Sequence, residues 1–205
     1  MNKKIAVIFI LTISALIFLY LYSFGSLSGK RIALQSNPNS LKPGPVQIIA
    51  ADNGSKQIFK TYKNQDLKEN FYIINFPANW PVKAGDHPGS YKVVLGSGTL
   101  MTSLMDVADN TTLELFVLSQ EEPRLQATFK DYKRLDYHQL TIDGQPAYQL
   151  TFTSLINGIT YQTTRTYITG GDHAGVVEIS ANQKDFSNYQ ALSNLILDSF
   201  HWNNK

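Results

Sequence analysis

The chain has 205 residues, enough for one domain of ordinary size with an additional segment. Its composition, 43% hydrophobic and 17% charged residues, is that of a globular protein and argues against wholesale disorder. With 18 basic against 16 acidic residues the sequence indicates no nucleic-acid partner, and the lack of cysteine excludes disulfides, thiol catalysis and cysteine-ligated zinc.

An uncharged apolar run from Ile5 to Phe24 stands near the start of the chain. As a helix its 20 residues would span about 30 Å, the thickness of the hydrocarbon core of a bilayer. A cleaved secretory signal is the alternative, but the run is longer than a usual signal core and no A-x-A-like site follows. We therefore predict a transmembrane signal anchor in residues 1–30, with the lipid bilayer as its partner.

The anchor predicts where the rest of the chain lies. Export is the simplest explanation of a large domain that follows an N-terminal anchor, so we expect a single-pass cell membrane protein with an extracytoplasmic domain. Residues 31–55 predict a linker, because their central part (SNPNSLKPGP, 36–45) is rich in Pro and Asn. The soluble domain is expected over residues 56–205.

Short alternating runs follow the linker and predict β-strands. They are Gln57–Lys63, Phe71–Phe76, Tyr91–Leu95, Thr99–Met105 and Leu113–Ser119. Glu121-Glu122-Pro123 then predicts the start of a short helix that reaches about Arg134, because acidic residues and Pro suit a first helical turn.

The next part of the chain predicts an antiparallel meander. Its strands are Tyr137–Ile142, Ala147–Ile156, Ile159–Thr169 and Ala174–Ala181, separated by Asp143-Gly144, Asn157-Gly158 and Gly170-Gly171-Asp172. Asn-Gly between two β-rich runs is the strongest short-range hairpin signal, because a type I′ turn needs positive φ at both central residues. On one face of this meander Tyr148, Leu150 and Phe152 should pack against an apolar element, for which the last helix is the candidate.

That last helix is predicted between Phe186 and Phe200, where apolar residues recur at spacings of three and four. Ser187 or Asp185 is expected as its N-cap. The tail through Trp202 predicts a final strand or a docked segment. The predicted fold class is α+β, an antiparallel β-sheet flanked by helices in an α/β/α-type sandwich, after one N-terminal transmembrane helix.

Several segments in this order resemble the PsbP-like proteins, relatives of the extrinsic subunit of the photosynthetic oxygen-evolving complex. These are Phe71–Pro81 (FYIINFPANWP), Leu140–Ala147 (LTIDGQPA), the long hairpin from Tyr148 to Ile168, and Leu195–Phe200 (LILDSF). The resemblance covers roughly Gln57 to Trp202 and implies a sheet flanked by helices that serves in binding or assembly without established catalysis. A photosystem role does not follow, because this chain carries an anchor where photosynthetic members carry cleaved targeting peptides.

The sequence offers one candidate recognition surface. Tyr161, Arg165 and Tyr167 share a face of a predicted strand, and a guanidinium among tyrosines suits cation–π contact and planar hydrogen bonding. A solvated sheet face with cross-strand pairs is the alternative.

Two Asp-His pairs in predicted turns, Asp86-His87 and Asp172-His173, are the candidate metal ligands. Ordinary turn formation is the favoured interpretation, because no H-x-H or H-E-x-x-H spacing accompanies them. No nucleotide or dinucleotide motif predicts a cofactor.

These observations together predict a non-catalytic, membrane-tethered, extracytoplasmic binding or assembly domain, an accessory subunit of a membrane or envelope complex with a protein partner. Two alternatives stay open. One is a metal- or solute-binding sensor ectodomain, and the other is a hydrolase whose site is assembled from dispersed residues such as His87, Asp172 and His173.

Overall fold

The structure is a computed structural model that describes residues 46–50, 56–63, 72–87 and 89–203. The predicted anchor, Ile5–Phe24, lies outside these residues. Among the helices that the structure does describe, none is long and apolar enough to cross a membrane.

The described strands form two antiparallel sheets. In chain order they are β1 Val46–Ala50, β2 Lys56–Lys63, β3 Tyr72–Pro77, β4 Lys83–Ala84, β5 Tyr91–Leu95, β6 Gly98–Asp106, β7 Lys133–Ile142, β8 Gln145–Ile156, β9 Ile159–Gly170, β10 His173–Asn182 and β11 His201–Trp202. A four-stranded sheet has the order β1-β2-β3-β11, and a seven-stranded sheet has the order β4-β5-β6-β10-β9-β8-β7. Strand β1 falls inside the segment 31–55 that the composition predicts as a linker.

The predicted meander is confirmed as β7 to β10. Asn157 and Gly158, between β8 and β9, have φ of 51° and 79°, as a type I′ turn requires. Asp143 and Gly144, between β7 and β8, have φ of 52° and 73°. Because these turns fix the register, each strand presents alternate residues to opposite faces of the large sheet.

The predicted strand Leu113–Ser119 is wrong, because this segment is helical. Helix α1 (Leu113–Phe116), a π-helical turn (Val117–Glu121) and helix α2 (Glu122–Thr128) follow one another without a break. The Thr112 hydroxyl accepts the N–H of Leu115 at 3.2 Å and so caps the first turn. The helical segment therefore begins before the predicted start at Glu121 and ends at Thr128, and the chain is already in β7 at Lys133.

The two faces of the seven-stranded sheet have different covers. The helical segment 113–128 packs through Phe116, Val117 and Leu125 on the face that carries Leu150, Phe152 and Tyr167. The expectation that the last helix covers Leu150 and Phe152 is therefore wrong. Strand periodicity shows that a face is apolar, but it does not show which helix reaches that face.

Helix α3 (Ser187–Leu197) confirms the predicted last helix, and it packs with the four-stranded sheet on the opposite face. Its core contacts include Ile196 and Leu197. Neither expected side chain caps it: Phe186 precedes the helix without a capping hydrogen bond, and the Asp185 carboxylate accepts the Ser97 hydroxyl at 2.8 Å.

The C-terminal tail joins the two sheets. Strand β11 pairs with β3, while the rings of Phe200 and Trp202 lie against glycines of the large sheet. A Cβ added at Gly175 would stand 2.5 Å from the Cζ of Phe200, and one at Gly170 would stand 2.3 Å from the Trp202 ring. Glycine at these two positions lets the aromatic rings approach the sheet backbone.

Candidate functional site

Arg165, the centre of the predicted recognition surface, lies on β9 in a network of ion pairs. Its side chain is only 12% exposed, and its Nε is 2.7 Å from Oε2 of Glu178, the residue directly opposite on β10. Its Nη1 is 3.5 Å from Oε2 of Glu121. Burial disfavours the charged guanidinium, but interactions with Glu178, Tyr167 and Glu121 together outweigh this effect, so the pKa of Arg165 is raised.

Glu121 connects this strand pair to the helices. Its side chain is buried and accepts two hydrogen bonds from Arg124, at 3.0 Å from Nε and 2.7 Å from Nη2. The neighbouring Glu122 is also buried and accepts the Tyr132 hydroxyl at 3.1 Å and Nη1 of Arg134 at 2.9 Å. These bonds satisfy two carboxylates that would otherwise be costly to bury, and they fix the helical segment on the sheet.

The tyrosines of the predicted surface differ in exposure. Tyr167 is fully buried beneath the helical segment, and its hydroxyl has no hydrogen-bond partner among the described residues. The Cζ of Arg165 lies 5.7 Å from the centroid of the Tyr167 ring, a cation–π distance. Tyr161 is partly exposed at the other end of the strand. The structure therefore brings Arg165 and Tyr167 together in a contact that is internal to the domain.

A cavity of about 390 Å³ lies beside this network. Arg165, Glu121 and Arg124 form one part of its wall, and His87 and Asp106 form another. His87 therefore shares a cavity with Arg165, although no spacing in the sequence relates them. The pocket combines two guanidinium groups with two carboxylates, so its charges largely cancel.

The second predicted Asp-His pair lies at the turn between β9 and β10. Nδ1 of His173 is 3.0 Å from Oδ1 of Asp106, and its Nε2 is 3.4 Å from Oδ1 of Asp172. His87 instead engages Ser90, whose hydroxyl donates to the His87 carbonyl at 2.5 Å. Within the part of the chain that the structure describes, no group of three or more His, Cys, Asp or Glu is placed to hold a metal ion.

A polar groove runs between strands β7 to β9 and helix α3, and sequence patterns did not predict it. Its volume is about 280 Å³. The floor is formed by Gln149, Thr151, Gln162 and Thr164, and the α3 side is formed by Gln190, Ser193 and Asn194. Amides and hydroxyls both donate and accept hydrogen bonds, so this surface suits an uncharged polar ligand or a polypeptide.

Cross-strand hydrogen bonds order the groove floor. Gln149 Nε2 donates to Thr166 Oγ1 at 2.9 Å, and the hydroxyls of Thr151 and Thr164 are 2.9 Å apart. At the rim on β7, Nδ1 of His138 is 2.7 Å from Oδ2 of Asp136. The floor is therefore preformed and would lose little side-chain entropy on binding.

Strand β7, which borders the groove, is an edge of the seven-stranded sheet. It pairs with β8 on one side, and no described strand pairs with the other. The register shift between Arg134 and Asp136 is a bulge that distorts its first part. From Tyr137 to Ile142 the strand is regular and contains no Lys, Arg, Asp, Glu or Pro.

The hairpin geometry shows which backbone groups of β7 point outward. Ile142 and Gln145 flank a two-residue turn and so form a hydrogen-bonded pair, after which the pairs alternate along the ladder. The N–H and C=O groups of Thr141, Gln139 and Tyr137 therefore point away from β8. The lack of charge in Tyr137–Ile142, at the end of a predicted meander, was the signal in the sequence that could have identified this edge.

No known family profile matches this sequence, and no curated protein does. The solution structure of cyanobacterial PsbP (CyanoP) from Synechocystis sp. PCC 6803 matches with a TM-score of 0.54 and 15% identity, over 70% of this chain and 92% of CyanoP. The fold is PsbP-like. The fold that the sequence resemblance implies is thereby confirmed, as is the α+β class with antiparallel sheets.

Two further solved structures are similar to this chain more distantly. The Ran-binding protein Mog1p of Saccharomyces cerevisiae has a TM-score of 0.46 and 11% identity, over 71% of this chain and 95% of Mog1p. LpqN of Mycobacterium tuberculosis, involved in cell envelope biogenesis, has a TM-score of 0.42 and 12% identity, over 83% of this chain and 88% of LpqN. At such identities the similarity concerns the fold alone.

Proposed function

We propose that the PsbP-like domain is a non-catalytic binding module that adds an extended segment of a partner protein to the outer edge of β7. The observation that carries this proposal is the segment Tyr137–Ile142, an unpaired, regular and uncharged stretch at the edge of the large sheet. Natural sheets usually protect such edges with charges, prolines or bulges, and β7 has those features only before Tyr137. An edge that lacks them suits strand addition.

The strength of this binding follows from the available backbone groups. Tyr137, Gln139 and Thr141 each offer one N–H and one C=O, so a partner strand can form about six hydrogen bonds. Each bond contributes about 0.5–1.5 kcal/mol net, and most of the summed binding free energy is offset by the entropy lost on association. The backbone bonds alone support weak binding, and the adjacent polar groove supplies the side-chain contacts that select one partner.

The predicted anchor supports a site of action at a membrane. We infer a single-pass cell membrane protein whose extracytoplasmic domain serves as an accessory subunit of a membrane or envelope complex. The apolar run Ile5–Phe24 supports the tether. A tether also raises the effective concentration of the domain near membrane partners, so weak strand addition is sufficient.

Site-specific crosslinking of the full chain in its native membranes tests the proposal. A photoreactive amino acid at Thr141, which is exposed on β7, should give one discrete protein adduct, identified by mass spectrometry. The same group at Gln120, exposed on the helical segment, should not give that adduct. Equal labelling from both positions would contradict binding at β7.

A matched pair of substitutions tests the backbone contact itself. Gln139→Pro removes an outward N–H without removing a β7–β8 hydrogen bond, whereas Gln139→Thr keeps that N–H. We expect the Thr141 adduct to be lost in the proline variant and retained in the threonine variant. An adduct that survives in both variants would show that the partner does not pair with this edge.

A further inference from the structure

The turn between β8 and β9 forms a second exposed feature, which we call the hairpin tip, residues 156–159. The β8–β9 ladder continues to the pair Ile156–Ile159, whereas β7 first pairs with β8 at Lys133–Thr153 and β10 last pairs with β9 at Asn182–Tyr161. The hairpin tip therefore extends roughly 7 Å beyond the ends of both neighbouring strands, at a strand rise of about 3.3 Å per residue. Loop backbone accompanies the hairpin only as far as Leu155 and Thr160, which are hydrogen-bonded to Lys130 and Gln183.

The hairpin tip is uncharged, and it carries two exposed isoleucines on either side of the Asn157-Gly158 turn. Ile156 and Ile159 face each other across the ladder and are 37% and 45% exposed. From Thr153 to Gln162 the sequence contains no charged residue. Two isoleucines at the end of a projecting hairpin contribute little to the core of this domain, so their burial requires another surface.

Three lysines surround the base of the hairpin tip. The Lys130 carbonyl accepts the N–H of Leu155 at 2.8 Å, and Lys133 lies opposite Thr153. Lys184 lines a cavity of about 350 Å³ together with Ile159. All three lysines are exposed, and none forms an ion pair with another described residue.

The acidic residues near these three lysines are fewer, and one of them already accepts a hydrogen bond. Asp131 follows Lys130 and is exposed, and Asp185 follows Lys184 and accepts the Ser97 hydroxyl. Cations therefore outnumber anions around an uncharged tip that carries two exposed isoleucines. This pattern suits an anionic bilayer, in which isoleucines can enter the acyl boundary while lysines stay at the level of the phosphates.

We propose that the hairpin tip docks the domain onto an anionic lipid surface, with Ile156 and Ile159 inserted and with Lys130, Lys133 and Lys184 at the phosphates. This contact is separate from the edge of β7. The segment Tyr137–Ile142 of β7 runs toward the end of the sheet opposite the hairpin tip, so the bilayer and a partner strand can bind at the same time.

Depth-dependent fluorescence of the full chain tests the docking. The chain has no cysteine, so an environment-sensitive fluorophore can be attached at a single introduced one. Thr160→Cys places it beside the hairpin tip, and Thr141→Cys places it at the opposite end of the sheet. In vesicles of phosphatidylcholine with phosphatidylglycerol we expect blue-shifted emission and quenching by lipid-borne nitroxides at residue 160 and not at residue 141. Equal signals at the two positions would overturn the proposal.

Substitutions then separate the apolar and electrostatic contributions. Ile156→Thr with Ile159→Thr keeps β-branched residues and should abolish the quenching, whereas Val94→Thr, at an exposed valine on β5, should leave it unchanged. Changing the three lysines to Gln should lower the ratio of docked to free domain on anionic vesicles by about fivefold for each lysine. Unchanged quenching in the isoleucine variant, with unchanged melting of the domain, would refute insertion of the hairpin tip.

Discussion

Replacing Arg165 with Met tests whether the buried ion pairs hold the helical segment and the sheet together. Methionine keeps an unbranched, flexible stem but removes the charge and the donors. Glu178, whose Oε2 lies 2.7 Å from Arg165 Nε, then loses its partner, whereas Glu121 keeps both hydrogen bonds from Arg124. The variant therefore leaves one largely buried carboxylate without a partner.

The expected loss follows from that burial. Breaking a buried ion pair by removing one partner costs about 3–5 kcal/mol. The side chains of Arg165 and Glu178 are 12% and 15% exposed, so water reaches part of the pair, and we expect a loss near the lower limit, about 3 kcal/mol. In a chain of this size each kcal/mol lowers the melting temperature by about 2–4 °C, which gives a shift of about 6–12 °C.

Tryptophan fluorescence during heating of the full chain in detergent measures this shift. Both tryptophans of the chain, Trp80 and Trp202, pack against the core, so the signal reports on the domain and not on the predicted anchor. The double variant Arg165→Met with Glu178→Gln removes the unpaired charge and should recover at least half of the loss. A single variant that melts within about 2 °C of the wild type, or a double variant that is no more stable than the single one, would refute the reasoning.

Two further predictions concern the C-terminal tail, which joins the two sheets. Gly175→Ala places a Cβ 2.5 Å from Phe200 Cζ and should cost about 1–3 kcal/mol in a urea unfolding experiment, and an unchanged midpoint would show that the ring moves aside freely. The pKa of Asp143 is lowered, first by its hydrogen bond to His201 and also by the N–H of Trp202. The Asp143 carboxylate therefore stabilises the folded state at pH values above its unfolded pKa. This stabilisation is lost as the pH falls through the folded pKa. We therefore expect the stability advantage of the wild type over Asp143→Asn to shrink below about pH 4, and an advantage that stays constant on acidification would contradict this assignment.

The meander could be predicted from the sequence because its turns are fixed by local chemistry. Asp143-Gly144 and Asn157-Gly158 need positive φ, and that requirement sets the strand register. A two-residue turn at Gly171-Asp172 would also have paired Arg165 with Glu178, since the observed ladder continues from His173–Gly170 to that pair. The cross-strand pair was therefore within reach of sequence reasoning.

The contact between Glu121 and Arg165 could not be predicted from the sequence. Glu121 contacts Arg165 only because Leu113–Thr128 is helical. The sequence of Leu113–Ser119, however, indicates a strand. The buried positions Leu113, Phe116 and Val117 fit one helix face, but so short a segment does not separate the two periods. The polar groove depends on where α3 lies against the sheet, and packing between distant segments decides that position.

The pairing of β11 with β3 has a consequence for the time at which the domain can fold. The N–H of Asn75 binds Ser199 Oγ at 3.0 Å across a sequence separation of 124 residues, and Trp202 pairs with Tyr72. The ribosome adds this tail long after β3, so the four-stranded sheet cannot be completed until the whole stretch between them has been synthesised. Until the tail arrives, the backbone at Gly170 and Gly175 has no aromatic cover. Closure of the domain is therefore a late step, which follows the synthesis of all the strands between β3 and the tail.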